Sequence, residues 1–408
     1  MTDDRYTVIS ADCHAGADLL DYRPYLESRY HDAFDAWAAS YVNPHEDLLA
    51  DTADRNWNSA RRLAELEADG IVAEVVFPNT IPPFFPSAAL MAPAPSGTDA
   101  ERRWAGLRAH NRWLADFCAE APGRRAGVAQ ILLNDVDEAV REVRRTKEAG
   151  LTGGIMLPGT PPGSGLPELH STYYDPLWAV CAELDVPVNH HGGSASPPLG
   201  DEPAARAVFM VETTWFSHRA LWHLIFGGVF HRHPGLRLVL TEQGSGWIPG
   251  VLDMLDYYHG RLVAASQAAT AEAKFGVGLA AAMGDSPAGI WRDHCFVGAS
   301  FMRPHEVPLR HRIGLDKIMW GSDYPHDEGT HPHSREALRL AYAGVPADEA
   351  AAMLGTNAAR VYGFDLARLA PLAARVGPRV TDIAEPLEKI PPDATSPAFA
   401  RGGSVRVW

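Results

Sequence analysis

Short runs of strand-forming residues recur along this chain and alternate with stretches that have helical character. The runs cover residues 6–14, 70–78, 124–133, 151–159, 186–193, 236–244, 294–300 and 317–326. The stretches between them, such as DEAVREVRRTKEAG and DPLWAVCAELD, have the apolar spacing of amphipathic helices. Strands and helices that alternate eight times predict an α/β fold, a (β/α)8 TIM-like barrel of parallel strands.

A doubly wound open sheet is the alternative architecture for such a pattern. Its usual fingerprint is a GxGxxG turn directly after the first strand, and this turn is absent, as is the GxxxxGK[ST] phosphate loop. The barrel is therefore the favoured fold.

The length of 408 residues suits one barrel domain with long inserted loops. We expect the barrel over residues 1–365 and insertions rich in Pro, Gly and Ala that build the walls of a pocket. The insertions are predicted at 34–60, 79–110, 194–218 and 262–290. Residues 366–408 contain several prolines and no clear apolar period, so we interpret them as a C-terminal arm on the barrel or on a partner subunit.

The composition excludes several classes of partner. A formal net charge of −15 repels phosphate backbones and argues against nucleic acid, although a local basic pocket for an anionic substrate remains open. No run of about 20 apolar residues and no secretion signal is present, so a membrane location is not expected. The four cysteines are far apart and form no CxxC pair, which fits a reduced, cytoplasmic protein.

Polar side chains cluster where several predicted strands end, which is the active-site face of such a barrel. The first strand ends in Asp12-Cys13-His14, the fifth in His190-His191, the sixth in Glu242-Gln243 and the eighth in Asp323. Residues at i and i+2 of a strand project to the same side, so Asp12 and His14 can grip one cation together. Imidazole and carboxylate ligands suit Zn²⁺, Mn²⁺ or Fe²⁺.

Each of these residues also has a purely structural interpretation. A single DxH sequence arises often by chance, the two histidines can be core residues, and Asp323 can cap the helix that follows it. The coincidence of polar clusters at the ends of the first, fifth and eighth strands has few structural explanations. It favours a metal site.

The segments ISADCH, VPVNHHGG, GVFHRHPGLRLVLTEQGSGWIP and DKIMWGSDYPH resemble the amidohydrolase-related group of the amidohydrolase superfamily, which includes decarboxylases of carboxylated rings. The resemblance covers about Ile9 to Phe364. It implies one divalent metal ion, Zn²⁺ or Mn²⁺, held by Asp12, His14, His191 and Asp323. His191 is preferred to His190 because it stands four residues after the strand proline, Pro187, as does the histidine of the family.

Two features of the sequence bear on that resemblance. Many relatives carry histidine or glutamate in place of Asp12, and decarboxylases of the group carry a histidine after the sixth strand, where this chain has Glu242. A general acid or base role is therefore assigned to Glu242 or to His218 of the preceding helix. The fourth strand, IMLPG, lacks the bridging lysine of two-metal members, which implies a mononuclear site.

Two reactions fit one cation beside Asp323. In a hydrolysis, the cation lowers the pKa of a water to roughly 7 and Asp323 takes its proton for attack on an amide, imide or lactone. In a decarboxylation, the cation binds a substrate carboxylate and Asp323 or another acid protonates the ring carbon. The resemblance slightly favours decarboxylation. A barrel without activity that serves as a binding protein is a third hypothesis.

The expected partner is a small carboxylated, cyclic or aromatic molecule, and the resemblance implies a homodimer or larger homo-oligomer. Arg303 can grip a carboxylate with its bidentate guanidinium, unless it pairs with Glu306 or Asp327. His326, three residues after Asp323, is a substrate-side or supporting residue. Trp215 and Trp247 are candidate stacking residues, with Phe216 and Phe301 as neighbours in the same loops.

Overall fold

The computed structural model describes residues 4–43, 47–90, 92–200, 202–268 and 273–399. Within them, eight parallel strands lie in sequential order in one sheet. The strands are β1 Val8–Ala15, β2 Ile71–Pro78, β3 Arg125–Gln130, β4 Gly154–Met156, β5 Val188–His191, β6 Leu238–Thr241, β7 Cys295–Ser300 and β8 Ile318–Gly321. Each strand overlaps one of the predicted runs, and the predicted (β/α)8 barrel is confirmed.

The barrel closes between its first and last strands, just beyond the end of β8. The backbone N–H of Asp323 donates to the carbonyl of Asp12 at 2.9 Å, and the N–H of His14 donates to the carbonyl of Tyr324 at 2.7 Å. Closure thus places Asp12, His14 and Asp323 side by side, although more than 300 residues separate them in the chain.

Helices surround the barrel, and none of those within the described ranges has both the length and the apolar character needed to cross a bilayer. The α-helices are α1 His31–Ser40, α2 Ser59–Ala68, α3 Thr98–Ala119, α4 Val136–Glu148, α5 Asp175–Glu183, α6 Pro203–Phe226, α7 Val229–Arg232, α8 Ile248–Ser266, α9 Ala273–Gly276, α10 Leu279–Met283, α11 Pro287–His294, α12 Arg310–Ile313, α13 Ser334–Tyr342, α14 Ala347–Ala351, α15 Asn357–Tyr362, α16 Leu366–Val376 and α17 Val380–Ala384.

Helix α4 shows why these segments form helices. The side chain of Asp135 accepts a hydrogen bond from the N–H of Glu138 and so caps the first turn. Basic side chains, Arg145 and Lys147, occupy the last turn, where they complement the helix dipole. The helix buries Ala139 and Val143, spaced four residues apart, against the barrel core.

All four of the predicted insertions are partly helical instead of loops throughout, and α3 and α6 are the longest helices that begin in them. Helix α3 begins at Thr98 inside the 79–110 insertion, and α6 begins at Pro203 inside the 194–218 insertion. Alanine-rich sequence has a high intrinsic helix propensity, which the Pro and Gly residues of these segments masked. Part of the 262–290 insertion, residues 269–272, lies outside the described residues.

The beginning of the C-terminal arm forms a helix that the sequence analysis missed. Helix α16 starts at Leu366 after the capping side chain of Asp365, and it contains Pro371. Its buried residues Leu369 and Ala373 join an apolar cluster with side chains of the barrel strands such as Ile9, Val75 and Val239. Residues 400–408, including Trp408, lie outside the described residues.

Candidate metal centre

Polar side chains from four strands meet at the end of the barrel where the strands terminate. Asp12 and His14 belong to β1, and His191 is the last residue of β5. Glu242 directly follows β6, and Asp323 follows β8 by two residues. The pairing of β1 with β2 shifts register between Ser10 and Cys13, the kind of irregularity that re-aims side chains near active sites.

The distances between these side chains are those expected of ligands around one ion. His14 Nε2 lies 3.3 Å from Asp12 Oδ1 and 3.2 Å from Asp323 Oδ1. His191 Nε2 lies 3.5 Å from Asp12 Oδ1 and 3.2 Å from Glu242 Oε2. Ligand atoms about 2.1 Å from a shared cation are roughly 3.0–3.4 Å from one another. The geometry fits a single cation.

The hydrogen-bond inventory supports the same conclusion. Asp12 Oδ1, His14 Nε2, His191 Nε2 and Asp323 Oδ2 are all buried and have no hydrogen-bond partner. Buried polar atoms are nearly always paired. Three of these atoms face one another, since Asp12 Oδ1 lies 3.3 Å from His14 Nε2 and 3.5 Å from His191 Nε2, and they call for a group that satisfies them all. Two imidazoles and two or three carboxylates are a suitable set for Zn²⁺ or Mn²⁺.

The two histidines are held with their Nε2 atoms toward the centre. His14 Nδ1 lies 3.4 Å from the carbonyl of Pro78, and His191 Nδ1 lies 3.0 Å from the carbonyl of Gly192. A carbonyl can only accept, so Nδ1 carries a hydrogen, and in the neutral ring Nε2 is then the nitrogen with the lone pair. This tautomer is the one a metal ligand requires.

Two of the carboxylates lie on strained backbone. The φ angle is 53° at Glu242 and 61° at Asp323, in the left-handed region that residues other than glycine seldom adopt. Such conformations cost roughly 1–3 kcal/mol each and are kept mainly where a side chain must point in one direction. Here they direct both carboxylates to the same centre.

The electrostatics of the cluster are strongly coupled. Burial alone would lower the pKa of His14, but Asp12 and Asp323 outweigh it and raise the pKa to about 10. Burial would also lower the pKa of His191, but Glu242 and Asp12 outweigh it and raise the pKa to about 9. Burial would raise the pKa of Asp12, but His14 and His191 outweigh it and lower that pKa. Burial would also raise the pKa of Asp323, but His326 and His14 lower it. In the absence of a cation, the carboxylates thus hold protons on the imidazoles.

Glu242 differs from the other carboxylates of the cluster. Its side chain is 29% exposed, whereas those of Asp12 and Asp323 are fully buried. Burial raises the pKa of Glu242 to about 7, against the attraction of His191. From the sequence, Glu242 is expected to act as a base, an acid or a ligand, and its position beside Asp12, His14 and His191 is compatible with binding the cation.

Of the two adjacent histidines, it is His191 that lies in the cluster. The ring of His190 is fully buried, and its Nδ1 lies 3.0 Å from the carbonyl of Leu157. Burial lowers the pKa of His190 to about 4. The geometry therefore agrees with the preference for His191 as the ligand.

His326 supports Asp323 directly. Its Nδ1 lies 2.9 Å from Asp323 Oδ1, and its Nε2 lies 3.1 Å from the side-chain oxygen of Asn79. The ring of His326 also packs on that of His14, with 4.1 Å between centroids. His326 was predicted to bind substrate or to support Asp323, and these contacts suit the second role.

Sequence reasoning missed three residues around the ligands. The hydroxyl of Ser300, at the end of β7, donates to Asp12 Oδ2. The ring of Phe77 lies 4.9 Å from that of His191, centroid to centroid, and Asn79 holds His326. Ser300 could have been found because it ends a predicted strand, whereas nothing in the sequence singled out Phe77 or Asn79.

His218 and Trp247 form a stacked pair next to the end of β6. Their ring centroids are 3.6 Å apart, and the rings are nearly parallel. His218 Nε2 lies 3.4 Å from the carbonyl of Gln243, and burial lowers the pKa of His218 to about 4. The pair thus adjoins Glu242, while the catalytic role of His218 and the substrate contact of Trp247 stay predictions.

The structure places the other predicted substrate-binding residues further from the ligands. Arg303 pairs with Glu306 at 3.4 Å, the alternative that the sequence left open, and its side chain is 38% exposed. Glu306 also accepts hydrogen bonds from the N–H groups of Ser245 and Gly246, so it ties the loops after β6 and β7 together. Trp215 is 53% exposed and packs on Phe216 and Trp222 of its own helix.

The closed barrel and its cluster of imidazoles and carboxylates define the class of the protein, a metal-dependent barrel protein of the amidohydrolase type. The comparison with known families gives the particular group. The profile of the amidohydrolase family matches residues 11–364, and the chain belongs to this family.

Similar proteins include decarboxylases. The chain is 34% identical over 188 residues to γ-resorcylate decarboxylase of Rhodococcus jostii (strain RHA1), a match that covers 41% of this chain and 54% of the relative. The chain thus spans about half the length of the curated relatives it matches.

Solved structures share the fold over most of the chain. An amidohydrolase from Mycobacterium avium subsp. paratuberculosis K-10 superposes with a TM-score of 0.66 at 20% identity, covering 88% of this chain and 99% of that one. The 5-carboxyvanillate decarboxylase of Novosphingobium aromaticivorans DSM 12444, complexed with manganese and 4-hydroxy-3-methoxy-5-nitrobenzoic acid, superposes with a TM-score of 0.63 at 20% identity, covering 89% of this chain and 99% of that one. At this identity the likeness establishes the fold alone.

Proposed function

We propose that the chain is a mononuclear, metal-dependent carboxy-lyase that removes CO₂ from a small carboxylated aromatic or cyclic substrate. One observation carries the proposal: buried, unpartnered atoms of Asp12, His14 and His191 converge at the active-site end of the barrel, where Asp323 Oδ1 lies 3.2 Å from His14 Nε2. The names of the decarboxylase relatives support the choice of reaction.

Asp12, His14, His191 and Asp323 would hold one divalent cation, with Glu242 close enough to join them. When bound, such a cation attracts the substrate carboxylate and stabilises negative charge that develops on neighbouring oxygens. Both Mn²⁺ and Zn²⁺ suit the ligands. Manganese is the first choice because the set contains no thiolate and because a decarboxylase of the same fold binds it.

Proton transfer is assigned to Asp323. His326 holds its Oδ1 atom at 2.9 Å, while Oδ2 has no hydrogen-bond partner and is left for the substrate. Because His326 and His14 lower the pKa of Asp323, its carboxylate must first take up a proton from the substrate or from solvent, and it then gives that proton to the ring carbon that carries the carboxylate. The electrons of the breaking C–C bond return to the ring, and the carboxylate leaves as CO₂.

Hydrolysis of a cyclic amide, imide or lactone is the second candidate reaction. It is favoured by Glu242, which stands where decarboxylases of this group carry a histidine and lies 3.2 Å from His191. A carboxylate at this position can act as a base or hold the leaving group.

The test is to load the purified protein with Mn²⁺ or Zn²⁺ and assay carboxylated phenols beside cyclic amides and lactones. Released CO₂ and ring opening are followed separately, and metal content is measured by plasma mass spectrometry. We expect about one metal per chain and CO₂ without ring-opened product. Ring opening without CO₂ would establish the hydrolase instead, and two metals per chain would contradict the mononuclear site.

Glu242→Gln distinguishes the reactions further. In a hydrolase it should reduce turnover with little change in substrate affinity, the pattern of an interaction made in the transition state. In a carboxy-lyase, Glu242→His should retain CO₂ release, because an imidazole is an effective proton donor near neutral pH.

We further infer that the protein works in a reducing compartment, the cytoplasm, as a homodimer or larger assembly. Free thiols at Cys13, Cys118, Cys181 and Cys295 support the first inference. Exposed apolar side chains on α6, among them Met210 and Val211, support the second. Sedimentation velocity that gives the mass of one 44.3 kDa chain would contradict the assembly.

A further inference from the structure

A cavity of about 1000 Å³ lies at the active-site end of the barrel, and it is lined in part by residues that closely follow His191 in the chain. Its walls come from the segments that follow β2, β3, β4 and β5, with one side closed by the start of α6. Leu132 and Leu133 follow β3, Pro158 follows β4, and Phe209 belongs to α6. Cavities that hold drug-sized ligands measure about 300–1000 Å³, so this one is larger than a single-ring acid requires.

The lining is apolar and contains no acidic side chain among the described residues. Proline and leucine predominate, and the charged residues of the lining are Arg103 and Arg206. Arg103 pairs with Asp99 at 2.8 Å and donates to the carbonyl of Pro93, while its buried Nε atom has no partner. Such a lining suits an alkyl chain or a second ring, with a hydrogen-bond acceptor near Arg103.

One short segment joins this cavity to the metal centre. His191 is a candidate ligand, and Gly193 and Ser196, a few residues later, line the cavity. Between them, Gly192 packs so closely on the backbone of Glu242 that a Cβ atom would lie 2.4 Å from its carbonyl oxygen. A ligand in the cavity therefore lies against the same segment that presents His191.

We propose that the cavity binds an apolar substituent of the carboxylated substrate, either an alkyl chain or a further ring. The inference rests on the proposed function and names the class of substrate: an aromatic acid with a sizeable apolar group. The metal centre receives the carboxylate, and the cavity receives the apolar group. Each methylene transferred from water into such a lining should lower KM by about threefold to fourfold until the cavity is full.

The experiment uses 2-hydroxybenzoates that carry no substituent, a propyl chain or a hexyl chain on the ring. CO₂ release gives KM for each acid with the Mn²⁺-loaded protein, and titration calorimetry with the ring products gives affinity without turnover. The variant Ala89→Trp fills part of the cavity at a half-buried position. Ala39→Trp, at an exposed alanine of α1 outside the lining, is the matched control.

We expect wild type and Ala39→Trp to have a lower KM for the acids with longer chains. Ala89→Trp should lose this preference, while its KM for the unsubstituted acid stays within about twofold of wild type. A KM that does not depend on chain length, or a preference that survives Ala89→Trp, would overturn the inference. If no acid yields CO₂, the proposed reaction is wrong. Calorimetry then still tests whether the cavity binds the chain. The affinity of the ring products should rise with chain length in wild type, and this dependence should be lost in Ala89→Trp.

A second inference concerns Arg62 of α2, which is fully buried behind the ligands of β1. Its Nη1 donates to the carbonyl of His14 at 2.7 Å, and its Nε and Nη2 donate to the carboxylate of Glu74. The guanidinium carbon lies 4.8 Å from the ring centroid of Tyr324, the residue after Asp323. Arg62 thus contacts both strand ends that close the barrel.

The same carboxylate has a second arginine that makes neither of these contacts. Arg125 of β3 donates to Glu74 at 3.1 Å and to the carbonyl of Phe117 at 2.7 Å. Both arginines are buried and share one anion, but Arg62 alone of the two reaches His14 and Tyr324. Variants of Arg62 and Arg125 can therefore distinguish a role in folding, which both arginines share, from a role at the metal centre, which only Arg62 would have.

We propose that Arg62 is a positioning residue that fixes His14 and Asp323 at the distances a cation requires. Arg62→Gln should raise the Kd for Mn²⁺ by about 10- to 100-fold, as is typical when a group that orients metal ligands is lost. Arg125→Gln should leave that Kd within about twofold of wild type, although both variants lose a bond to Glu74.

Chelator competition gives the Kd, and urea unfolding of the metal-free proteins gives stability. An equal rise in Kd in the two variants, or no rise in Arg62→Gln, would overturn the proposal. Arg62→Lys covers the case in which the glutamine variant does not fold. It keeps a cation beside Glu74, yet an ammonium cannot reproduce the planar contact with Tyr324 and the bond to His14 together, so the Kd should still rise.

Discussion

Two clusters of buried charged side chains lie next to each other around the end of β1. They differ in how their polar atoms are paired. Around Glu74, arginine donors meet a carboxylate acceptor, with Arg62 Nη2 at 2.6 Å and Arg125 Nε at 3.1 Å. At the metal centre, carboxylates and imidazoles face one another at 3.2–3.8 Å, and Asp12 Oδ1 and His14 Nε2 have no hydrogen-bond partner.

The difference shows which property marks a ligand site. Buried charge by itself does not, because in the Glu74 cluster the carboxylate and the guanidinium groups bind one another, and only Arg125 Nη2 is left without a partner among these side chains. What distinguishes the metal centre is that several unpartnered atoms converge on one point. Variants in the two clusters should therefore fail in different ways, the first in stability and the second in metal binding.

The largest effect is expected from His191→Ala. Loss of one ligand should weaken Mn²⁺ binding by at least about 100-fold and abolish turnover, while the metal-free protein stays folded. Equilibrium dialysis with plasma mass spectrometry measures the binding. His190→Ala is the neighbouring control and should keep its metal; a result in which it loses the metal and His191→Ala does not would reverse the assignment.

Glu74→Gln should act on stability instead. It leaves Arg62 and Arg125 buried without their anion, at a cost of about 3–5 kcal/mol in the free energy of unfolding. Urea titration of the metal-free protein measures this cost. Glu183→Gln is a suitable control because the ion pair of Glu183 with Arg144 is solvent-exposed, and solvent screens such pairs so that they contribute little to stability. Equal losses in the two variants would show that the Glu74 cluster is not a structural unit.

Asp323→Asn removes a proton acceptor but keeps the size and one ligand oxygen. We expect it to retain metal at least in part and to lose about 100-fold or more in turnover. Single-turnover CO₂ release by metal-saturated protein separates chemistry from binding. A rate near that of wild type would take Asp323 out of the chemistry and leave it as a ligand only.

His110 shows what burial does to an imidazole that has no carboxylate beside it. Its Nδ1 lies 2.8 Å from the hydroxyl of Tyr22, and burial lowers its pKa to about 3, whereas the equally buried His14 has a pKa of about 10. Because the pKa of His110 is lower in the folded than in the unfolded chain, the unfolded chain takes up the proton first. Stability therefore falls as the pH drops from about 6.5 toward 3.

At pH 5 the expected loss from His110 is about 2 kcal/mol. His110→Gln keeps a hydrogen-bonding group near Tyr22 and cannot titrate, so its stability should fall less than that of wild type between pH 7 and pH 5. Urea unfolding at the two pH values measures the difference. Parallel losses in both proteins would mean that His110 is protonated inside the fold.

The strands could be predicted, and the convergence of the candidate ligands could be expected, because the barrel imposes a simple rule: polar residues at strand ends meet. Asp12, His14, His191 and Asp323 obey it. Arg62 was harder, since an arginine in a helix resembles any solvated residue until its helix is docked. The role of Glu306 in linking two loops likewise depends on tertiary contacts that no local pattern encodes.

The helical parts of the insertions were missed for a different reason. In α3 and α6, prolines and glycines near the helix start suggested loops, but Pro203 stands at the first helical position, where it costs nothing. Helix α16 contains Pro371 and still forms, because Asp365 caps it and Leu369 and Ala373 are buried. Tertiary packing outweighed local propensity in each case.

The left-handed backbone at Glu242 and Asp323 restricts how this active site can evolve. Among residues with a Cβ atom, asparagine, aspartate and histidine tolerate positive φ best, and β-branched residues tolerate it least. Mutational drift at the end of β6 therefore passes most easily through a small set of polar side chains, each of them able to bind a metal or move a proton. The backbone conformation thus favours side chains that bind a metal or transfer a proton at this position, even when the reaction itself changes.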